Sequence, residues 1–332
     1  MVDSDANNII RSGEVWKQEP ITYSLDSQVE KKTGDGEVLV LYEDLAPTTY
    51  ATYDWSDLST DWLVDSSSNQ IVVEDGWLKV LDSTGQWFRI WYANELKYNY
   101  LEIEVRYNIS HPTGDANNIA DGFVIAFYKD ISYTPGGGGS LCFGGIGYGV
   151  KIDVWQNSLD PAPAMIAIIN GSVDNVIAYR WYSKSELYNV HVVKVRIIDR
   201  YIEVYLDGNL VLSALVEEGF SKDYGYVGLA GATGGAYMIL KFDYFKVSYQ
   251  NLPGINNAEV KVGSIRGTTN SFGTFFFAID RGAYSVDVNV SSGLRFYENN
   301  SIYKLKASGE FSLTTDYTLY ANLTEIIINV KK

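Results

Sequence analysis

Apolar and polar residues alternate strictly along several segments of this 332-residue chain. Residues Leu101–Tyr107 read LEIEVRY, Tyr201–Leu206 read YIEVYL, and Tyr237–Tyr249 alternates in the same way. Successive side chains of a strand point to opposite faces, so this pattern predicts strands with one buried face. No stretch keeps a helical 3.6-residue period over three turns, and turn-forming residues recur roughly every 8–12 residues. The sequence therefore predicts an all-β chain of sandwich or barrel topology.

Charge and composition exclude several classes of function. The chain carries 26 basic against 41 acidic side chains, which gives a net charge of −15. Such a charge repels phosphate backbones, so no nucleic-acid partner is expected. Cys142 is the single cysteine, and His111 and His191 are the two histidines, which excludes an internal disulfide and a Cys/His zinc cluster. A bound metal would therefore be a hard ion held by oxygen ligands.

Targeting signals are absent from the sequence as given. It contains no apolar window of ~18 residues, so no membrane span is expected. The start, Met1–Asp5, is acidic and polar and lacks a basic n-region and an apolar h-region, so no signal peptide is expected in this chain. Either a signal was removed and a start Met added, or the protein leaves the cell without one, and both explanations stay open.

Breaker residues indicate where the chain divides. Segment 251–257 combines Pro253 and Gly254 with a polar run and is the predicted linker. Residues 46–250 before it form one long β unit. Residues 258–332 after it form a second, small unit that suits an Ig-like sandwich.

The first 45 residues are predicted as an N-terminal arm or as extra strands. Ile21–Leu25 and Val38–Tyr42 read as strands, whereas Asp26–Gly36 between them is charged and loop-like. This part of the chain, residues 1–45, is a candidate for assembly with a neighbouring molecule.

Three segments of the long unit carry informative motifs. Ala120–Phe127 reads ADGFVIAF, Gly138–Pro161 contains GYGVKIDVWQNSLDP, and Tyr226–Gly235 reads YVGLAGATGG. In order and spacing they resemble the L-type, legume-like lectins, whose domain is a concanavalin-like jelly-roll β-sandwich. Val204–Leu212 is similar to the V-Y-L-D-G hairpin of that family, with Asp-Gly-Asn as its turn. The resemblance covers roughly residues 50–250.

The resemblance implies a carbohydrate-binding site. Asp121 would accept hydrogen bonds from two sugar hydroxyls, and the backbone N–H of Gly139 and the side-chain amide of Asn157 would donate. The loop that contains Thr233 and Gly234 would set specificity. An aromatic side chain would stack on the apolar face of the sugar ring, and the candidates are Phe143, Tyr148 and Trp155.

The resemblance also implies calcium ligands on one strand-to-loop segment. Calcium takes about six to eight oxygen ligands at ~2.3–2.6 Å. By resemblance they would come from the side chains of Asp153, Asn157 and Asp160 and from the backbone carbonyl of Trp155.

Two residues depart from the family pattern. The family holds a second, transition metal with a Glu two residues before the calcium Asp and a His on the following strand. Lys151 and Met165 occupy those positions here, so a transition metal is not expected. The Lys151 ammonium could replace the missing cation by pairing with Asp153 or Asp160. It would compete with Ca2+ for the same carboxylates, so calcium binding stays open.

The same strand excludes a related enzyme class. Jelly-roll glycoside hydrolases that resemble this segment carry E-I-D-x-x-E, with the two Glu as nucleophile and acid/base. Lys151 and Gln156 stand at those two positions. An ammonium cannot attack an anomeric carbon and an amide cannot shuttle a proton, so the chain is not expected to be an enzyme.

The C-terminal unit resembles the carboxypeptidase-regulatory-like Ig-type fold. The resemblance rests on Gly267–Phe275 and on Gly282–Val286, which reads GAYSV, and it implies a spacer or assembly module. Six segments of this unit read as strands: Glu259–Val262, Thr274–Ile279, Ala283–Val290, Ile302–Ala307, Tyr317–Leu323 and Glu325–Val330.

These features support two hypotheses for function. The first is an extracellular, non-enzymatic carbohydrate-binding protein that acts in adhesion or surface recognition, located outside the cell, at its surface or on a virion. Its partner would be a glycan or glycoprotein, and avidity through homo-oligomers is expected because single-sugar sites bind weakly. The alternative is a structural subunit of a surface filament, S-layer or virion spike that uses the lectin-like sandwich as scaffold.

Overall fold

The structure is a computed structural model, and two compact units are seen in its described part. One unit spans residues 49–250, and the other combines residues 33–42 with residues 254–331. The described residues are 33–42, 49–53, 55, 61–67, 71–93, 95–96, 98, 100–130, 136–198, 201–216, 225–250, 254, 257–271, 273–280, 283–290, 295–299, 302–305, 311–318 and 323–331.

Almost every regular element among the described residues is a strand, which confirms the predicted all-β class. Three 3-10 helices of one turn are present, at Ala116–Asn118, Gly138–Ser140 and Lys184–Glu186. In chain order the strands are β1 Thr33–Tyr42, β2 Thr49–Tyr53, β3 Trp62–Ser66, β4 Val72–Glu74, β5 Trp77–Leu81, β6 Trp87–Tyr92, β7 Tyr100–Ser110, β8 Gly122–Asp130, β9 Gly144–Asp153, β10 Met165–Ser172, β11 Val176–Trp181, β12 Asn189–Ile198, β13 Tyr201–Leu206, β14 Asn209–Leu215, β15 Tyr226–Ala232, β16 Ile239–Gln250, β17 Glu259–Val262, β18 Ile265–Thr268, β19 Thr274–Asp280, β20 Ala283–Val290, β21 Arg295–Asn299, β22 Ile302–Leu305, β23 Phe311–Thr318 and β24 Leu323–Lys331.

The first unit is a sandwich of two antiparallel sheets. One sheet has the order β14-β13-β12-β7-β16-β5-β4, with β2 also paired to β16. The other has seven strands in the order β11-β10-β9-β8-β15-β6-β3. Their facing side chains form one continuous hydrophobic core. Strand β7 shows why the alternating pattern predicts this arrangement, since every second side chain is fully buried in that core: Leu101, Ile103, Val105, Tyr107 and Ile109.

The central strands of the seven-stranded sheet are buried on both faces. On β8, Phe123 and Phe127 join the core between the sheets, whereas Val124 joins a second hydrophobic cluster on the opposite face. Lys151 of β9 stands in register with Val124 of β8 and with Ala167 of β10, so it shares this second face. The strand pattern therefore places a lysine side chain on a covered, apolar surface.

The predicted hairpin joins β13 and β14. Its turn residues Asp207 and Gly208 have φ of 50° and 81°, the left-handed conformation that two-residue turns between twisted strands require. The Asp207 carboxylate accepts a hydrogen bond from the Val192 N–H at 2.9 Å, which fixes the turn against the neighbouring strand.

The second unit contains two further sheets. One has the order β19-β1-β24-β21-β22 and the other the order β18-β17-β20-β23. Strand β1 runs antiparallel to β19 and parallel to β24, so this N-terminal segment is part of the sheet that the C-terminal residues form. The predicted strand Val38–Tyr42 is confirmed, but it begins at Thr33, within the segment predicted as a loop.

Strand positions in the second unit agree with the sequence only in part. Strands β17, β19, β20, β22 and β24 overlap the predicted segments. The strand predicted at Tyr317–Leu323 is wrong in position, since β23 occupies Phe311–Thr318. The Ig-like assignment of residues 258–332 stays a prediction, and Ile21–Leu25 lies outside the described residues. Within the described part of the chain, no helix is long and apolar enough to cross a bilayer.

Close packing around β15 gives a test of the sandwich. A β-carbon at Gly228 would collide with the Ile90 carbonyl oxygen and lie 2.5 Å from the Trp91 ring. Gly228→Ala is therefore expected to lower the free energy of unfolding by about 2–3 kcal/mol, measured by urea denaturation. Gly137 has a φ of −85° and open space around it, so Gly137→Ala should stay within about 0.5 kcal/mol of wild type. Equal stability of the two variants would contradict the packing of β15 between β6 and β8.

Candidate functional site

Asp121 lies between the ends of three strands of the seven-stranded sheet. It directly precedes β8 and follows a cis peptide bond from Ala120. Its carbonyl oxygen accepts from the Val154 N–H at 2.9 Å, and its own N–H donates to the Ala232 carbonyl at 3.3 Å. The backbone of Asp121 is thereby tied to the ends of β9 and β15.

The glycine loop 136–140 closes over this edge of the sheet. The Gly138 N–H donates to the Thr233 carbonyl at 3.2 Å. A β-carbon at Gly139 would lie 2.6 Å from the side-chain amide of Asn157, and one at Gly234 would lie 3.1 Å from Asp121 Oδ2. A larger residue at either position would therefore require the Asn157 or Asp121 side chain to shift. The loop therefore connects Asp121, through Gly234 and Gly139, to Asn157.

Four of the residues that the sequence predicts for sugar contact are thus brought together. Asp121 and Gly234 lie side by side, and Gly139 lies against Asn157. They come from three segments that are far apart in the chain, and the sheet order β9-β8-β15 makes them neighbours.

Asp121 is a buried carboxylate with one oxygen that lacks a hydrogen-bond partner among the described residues. The residue is 4% exposed, and Oδ2 is buried with no hydrogen-bond partner among the described residues. Burial raises the pKa of Asp121 to about 6, the Asp160 charge raises it further, and the Gly234 N–H and the Lys184 ammonium lower it. Such an acceptor has already lost its hydration, so a hydroxyl donor would gain more there than in water.

Lys151 is enclosed between two carboxylates. Its Nζ lies 2.7 Å from Asp160 Oδ1 and 3.1 Å from Asp153 Oδ2, with the three side chains between 1% and 3% exposed. The contact with Asp160 is a hydrogen bond, whereas the contact with Asp153 is an ion pair without hydrogen-bond alignment. Burial raises the pKa of Asp153 to about 7, against the lowering effect of Lys151.

The remaining carboxylate oxygens face backbone donors. Asp153 Oδ1 accepts from the Trp155 N–H at 2.9 Å, and Asp160 Oδ2 accepts from the Asn157 N–H at 2.7 Å. The donor set thus differs from that of a calcium site, which needs free oxygens around one point. Across the described residues no group of three or more His, Cys, Asp or Glu side chains is placed to hold a metal ion. The predicted ligands Asp153, Trp155, Asn157 and Asp160 lie together, but they do not fit a calcium ion in this arrangement.

Met165 lies beside the same charges. It is the register partner of Asp153 on β10 and is fully buried. The two departures from the family pattern are therefore neighbours in the structure. A thioether is a poor ligand for a hard cation. The absence of a transition metal stays a prediction.

Trp155 is the one predicted stacking ring with an open surface. Its side chain is 36% exposed, whereas Tyr148 is 2% exposed in the core between the sheets and Phe143 is 6% exposed and packs on Tyr128. The predicted sugar contact of Tyr148 is at odds with this burial. Thr233 is also fully buried. Its hydroxyl donates to the Ser83 carbonyl at 2.7 Å, so this side chain holds the loop in place, and the role of the loop in specificity stays a prediction.

Lys184 belongs to the site, although the sequence analysis did not include it. Its Nζ lies 4.2 Å from the centroid of the Trp155 ring and donates to the carbonyls of Asn117 and Ile119 at 3.0 and 3.2 Å. A capping box formed by Ser183 and Glu186 sets the short helix that carries it. The S-x-x-E spacing was a usable signal for that helix start, but no local pattern says which distant ring the lysine meets.

Comparison with known proteins gives the fold of this region. The winged bean acidic lectin complexed with methyl-α-D-galactose matches with a TM-score of 0.52 at 19% identity, covering 62% of this chain and 99% of the lectin. The basic winged bean lectin with Tn-antigen matches with a TM-score of 0.52 at 16% identity, over 63% and 100% of the two chains. The Bauhinia forficata lectin in complex with GalNAc gives 0.51 at 16%, over 61% and 98%.

These likenesses support the concanavalin-like jelly-roll fold that the sequence predicts. The sequence matches no protein-family profile and no curated protein.

The buried Asp121 carboxylate predicts that removing its charge stabilises the fold at neutral pH. A carboxyl whose pKa is raised from 3.8 to about 6 retains its proton in the folded state longer than in the unfolded state. Its contribution therefore destabilises the fold progressively as pH rises from about 4 to 6. Asp121→Asn is expected to raise the free energy of unfolding at pH 7 by about 1–2 kcal/mol, less than the full shift because the edge borders solvent. Urea denaturation at pH 7 and pH 4 measures it, and a pH-independent difference between the proteins would contradict it.

Proposed function

We propose that this protein binds carbohydrates without acting on them chemically, in adhesion or surface recognition. The observation that carries the proposal is the meeting of Asp121, Gly139 and Asn157 at one sheet edge, with a buried oxygen of Asp121 still without a partner. Lectins of the same fold, in complexes with methyl-α-D-galactose, Tn-antigen and GalNAc, support it.

The proposed polar contacts complement neighbouring hydroxyls of a sugar. At pH 7 Asp121 is mostly ionised, since its pKa is about 6, and it can only accept hydrogen bonds. The Asn157 amide and the Gly139 N–H supply donors, so a hydroxyl can donate to Asp121 while its oxygen accepts from Asn157 or Gly139. Charged acceptors strengthen such bonds.

Access to Asp121 passes the glycine backbone. Oδ2 lies beneath Gly234, whose neighbour across the loop is Gly138. The groups nearest to this oxygen on that side are therefore backbone atoms of two glycines.

Trp155 supplies the apolar half of the proposed site. A pyranose presents a C–H face that packs on an aromatic ring. The Lys184 ammonium covers one face of the ring, and because the side chain is still 36% exposed, the sugar is proposed to pack on the other face. Trp155 follows Asp153 by two residues and precedes Asn157 by two, so ring and amide belong to one loop.

A single shallow site of this kind binds weakly, so useful affinity needs several sites on one assembly. We therefore propose a homo-oligomer that acts outside the cell, at a cell surface or on a virion, with a glycan or glycoprotein as partner.

The alternative function, a structural subunit of a filament, S-layer or virion spike, has less support from the strand pairing. Strand β1 would be the natural segment to donate to a neighbour's sheet edge. It is instead paired on both sides within its own chain, by β19 and β24.

Binding to a glycan array tests the main proposal. Wild type is expected to bind a subset of glycans, with galactose- and GalNAc-terminated ones included among the probes. Asp121→Asn should lose at least about tenfold in affinity because its amide cannot accept both hydroxyl bonds as a carboxylate does. Asp174, an exposed aspartate after β10, gives the matched control Asp174→Asn, which should bind as wild type. Absence of binding by wild type, in calcium and in EDTA alike, would reject the proposal.

The stacking role of Trp155 has a closely matched control in the same sandwich. Trp155 and Trp181 are 36% and 37% exposed, but Trp181 ends β11 at the edge of the sheet. Trp155→Ala is expected to weaken binding of the best array glycan at least about tenfold, and Trp181→Ala to leave it unchanged. Titration calorimetry measures both. Equal losses in the two variants would remove Trp155 from the site.

A further inference from the structure

We infer that the Lys151 ammonium is a built-in cation that holds the candidate site together, so that the site needs neither calcium nor a transition metal. The inference deepens the proposed function, and it rests on that proposal only in taking the ligand to be a carbohydrate. In the family that the sequence resembles, metal ions would hold the loop 153–160 in place. Here the Lys151 ammonium takes over that role.

The first argument is charge. Two buried carboxylates, Asp153 and Asp160, contact one buried ammonium at 3.1 and 2.7 Å. Buried charges are stable only when paired. A divalent ion in the same place would add two positive charges beside Lys151, whose side chain is 1% exposed and has no solvent to turn to.

The second argument is the set of available oxygens. Each of the four carboxylate oxygens already faces a donor: Lys151 at Asp160 Oδ1 and Asp153 Oδ2, Trp155 N–H at Asp153 Oδ1, and Asn157 N–H at Asp160 Oδ2. A calcium ion would have to replace these contacts and recruit further oxygens to reach about six to eight ligands. The register partner of Asp153 is Met165, which offers no oxygen.

The third argument is a second lysine at the same loop. Lys184 joins the Trp155 ring to the carbonyls of Asn117 and Ile119, which lie just before Asp121. It is a positioning residue for the ring. The two ammonium groups together fix the carboxylates and the ring.

Thermal unfolding of the full chain with and without metal tests the inference. Protein treated with EDTA and then given CaCl2 alone or MnCl2 alone should keep its Tm within about 1 °C, and calorimetry should show no binding of either ion. A rise in Tm or a measured affinity for Ca2+ or Mn2+ in wild type would overturn the inference. This readout contains no sugar, so failure of glycan binding would reject the proposed function and leave the metal result standing.

Substitution of Lys151 tests whether the ammonium itself stabilises the site. Lys151→Glu brings three carboxylates together, so its Tm in EDTA should fall by roughly 10 °C, and Mn2+ or Ca2+ should restore part of it. The Tm of Lys151→Met in EDTA should fall by a similar amount and recover less when either ion is added, since this variant leaves two unpaired carboxylates and adds no ligand. Lys129→Glu, the same charge change at an exposed position of β8, should respond to neither ion. If Lys151→Met were as stable as wild type, the ammonium would not hold the site; if Lys151→Glu does not fold, the wild-type and Lys151→Met results decide.

Discussion

Burial of the central strands of the seven-stranded sheet on both faces is the constraint on which the site depends. A side chain on either face of β9 near Lys151 is removed from water, so the strand can carry this lysine only if the surrounding residues satisfy its charge. Asp153 lies two residues along the same face, and Asp160 returns to the ammonium from the following loop. The ion pair between the buried Lys151 ammonium and Asp160 therefore ties the loop 154–160 to strand β9. The position of Trp155 and Asn157 follows from that closure.

Two buried acidic groups lie at this edge, and they differ in the charge beside them. Neither Asp121 Oδ2 nor Asp153 Oδ2 has a hydrogen-bond partner among the described residues, and burial raises the pKa of both, to about 6 and about 7. The Lys151 ammonium forms its ion pairs with Asp153 and Asp160 and not with Asp121. Binding groups are often held ready at the expense of stability, which is why Asp121 and not Asp153 is the carboxylate proposed to meet a ligand.

The sequence predicts the sandwich well because strand period is a local property. Residues 101–107 alternate, and the buried face of β7 follows directly. The motif segments also lead to Asp121, Gly139 and Asn157, since their spacing is readable along the chain. Prediction fails where burial depends on distant residues. Tyr148 and Thr233 look available in sequence, but sheet register and the Ser83 carbonyl enclose them. Lys184 could not be found because its partner, the Trp155 ring, is set by a tertiary approach of two loops.

An ammonium makes fewer contacts than a divalent ion, and hydrogen bonds within the loop supply the ordering that the ammonium cannot. Three N–H donors can hold two carboxylates, but they cannot also organise backbone carbonyls and amides as six to eight calcium ligands would. The remaining ordering comes from the chain itself. The turn 157–160 is closed by the Asp160 N–H donating to the Asn157 carbonyl at 3.2 Å and by the Asn157 N–H donating to Asp160 Oδ2 at 2.7 Å. Lys184 then fixes the ring of Trp155 from outside. A lysine cannot dissociate as a metal ion does, so the proposed role of Lys151 implies a loop that stays closed at any calcium concentration.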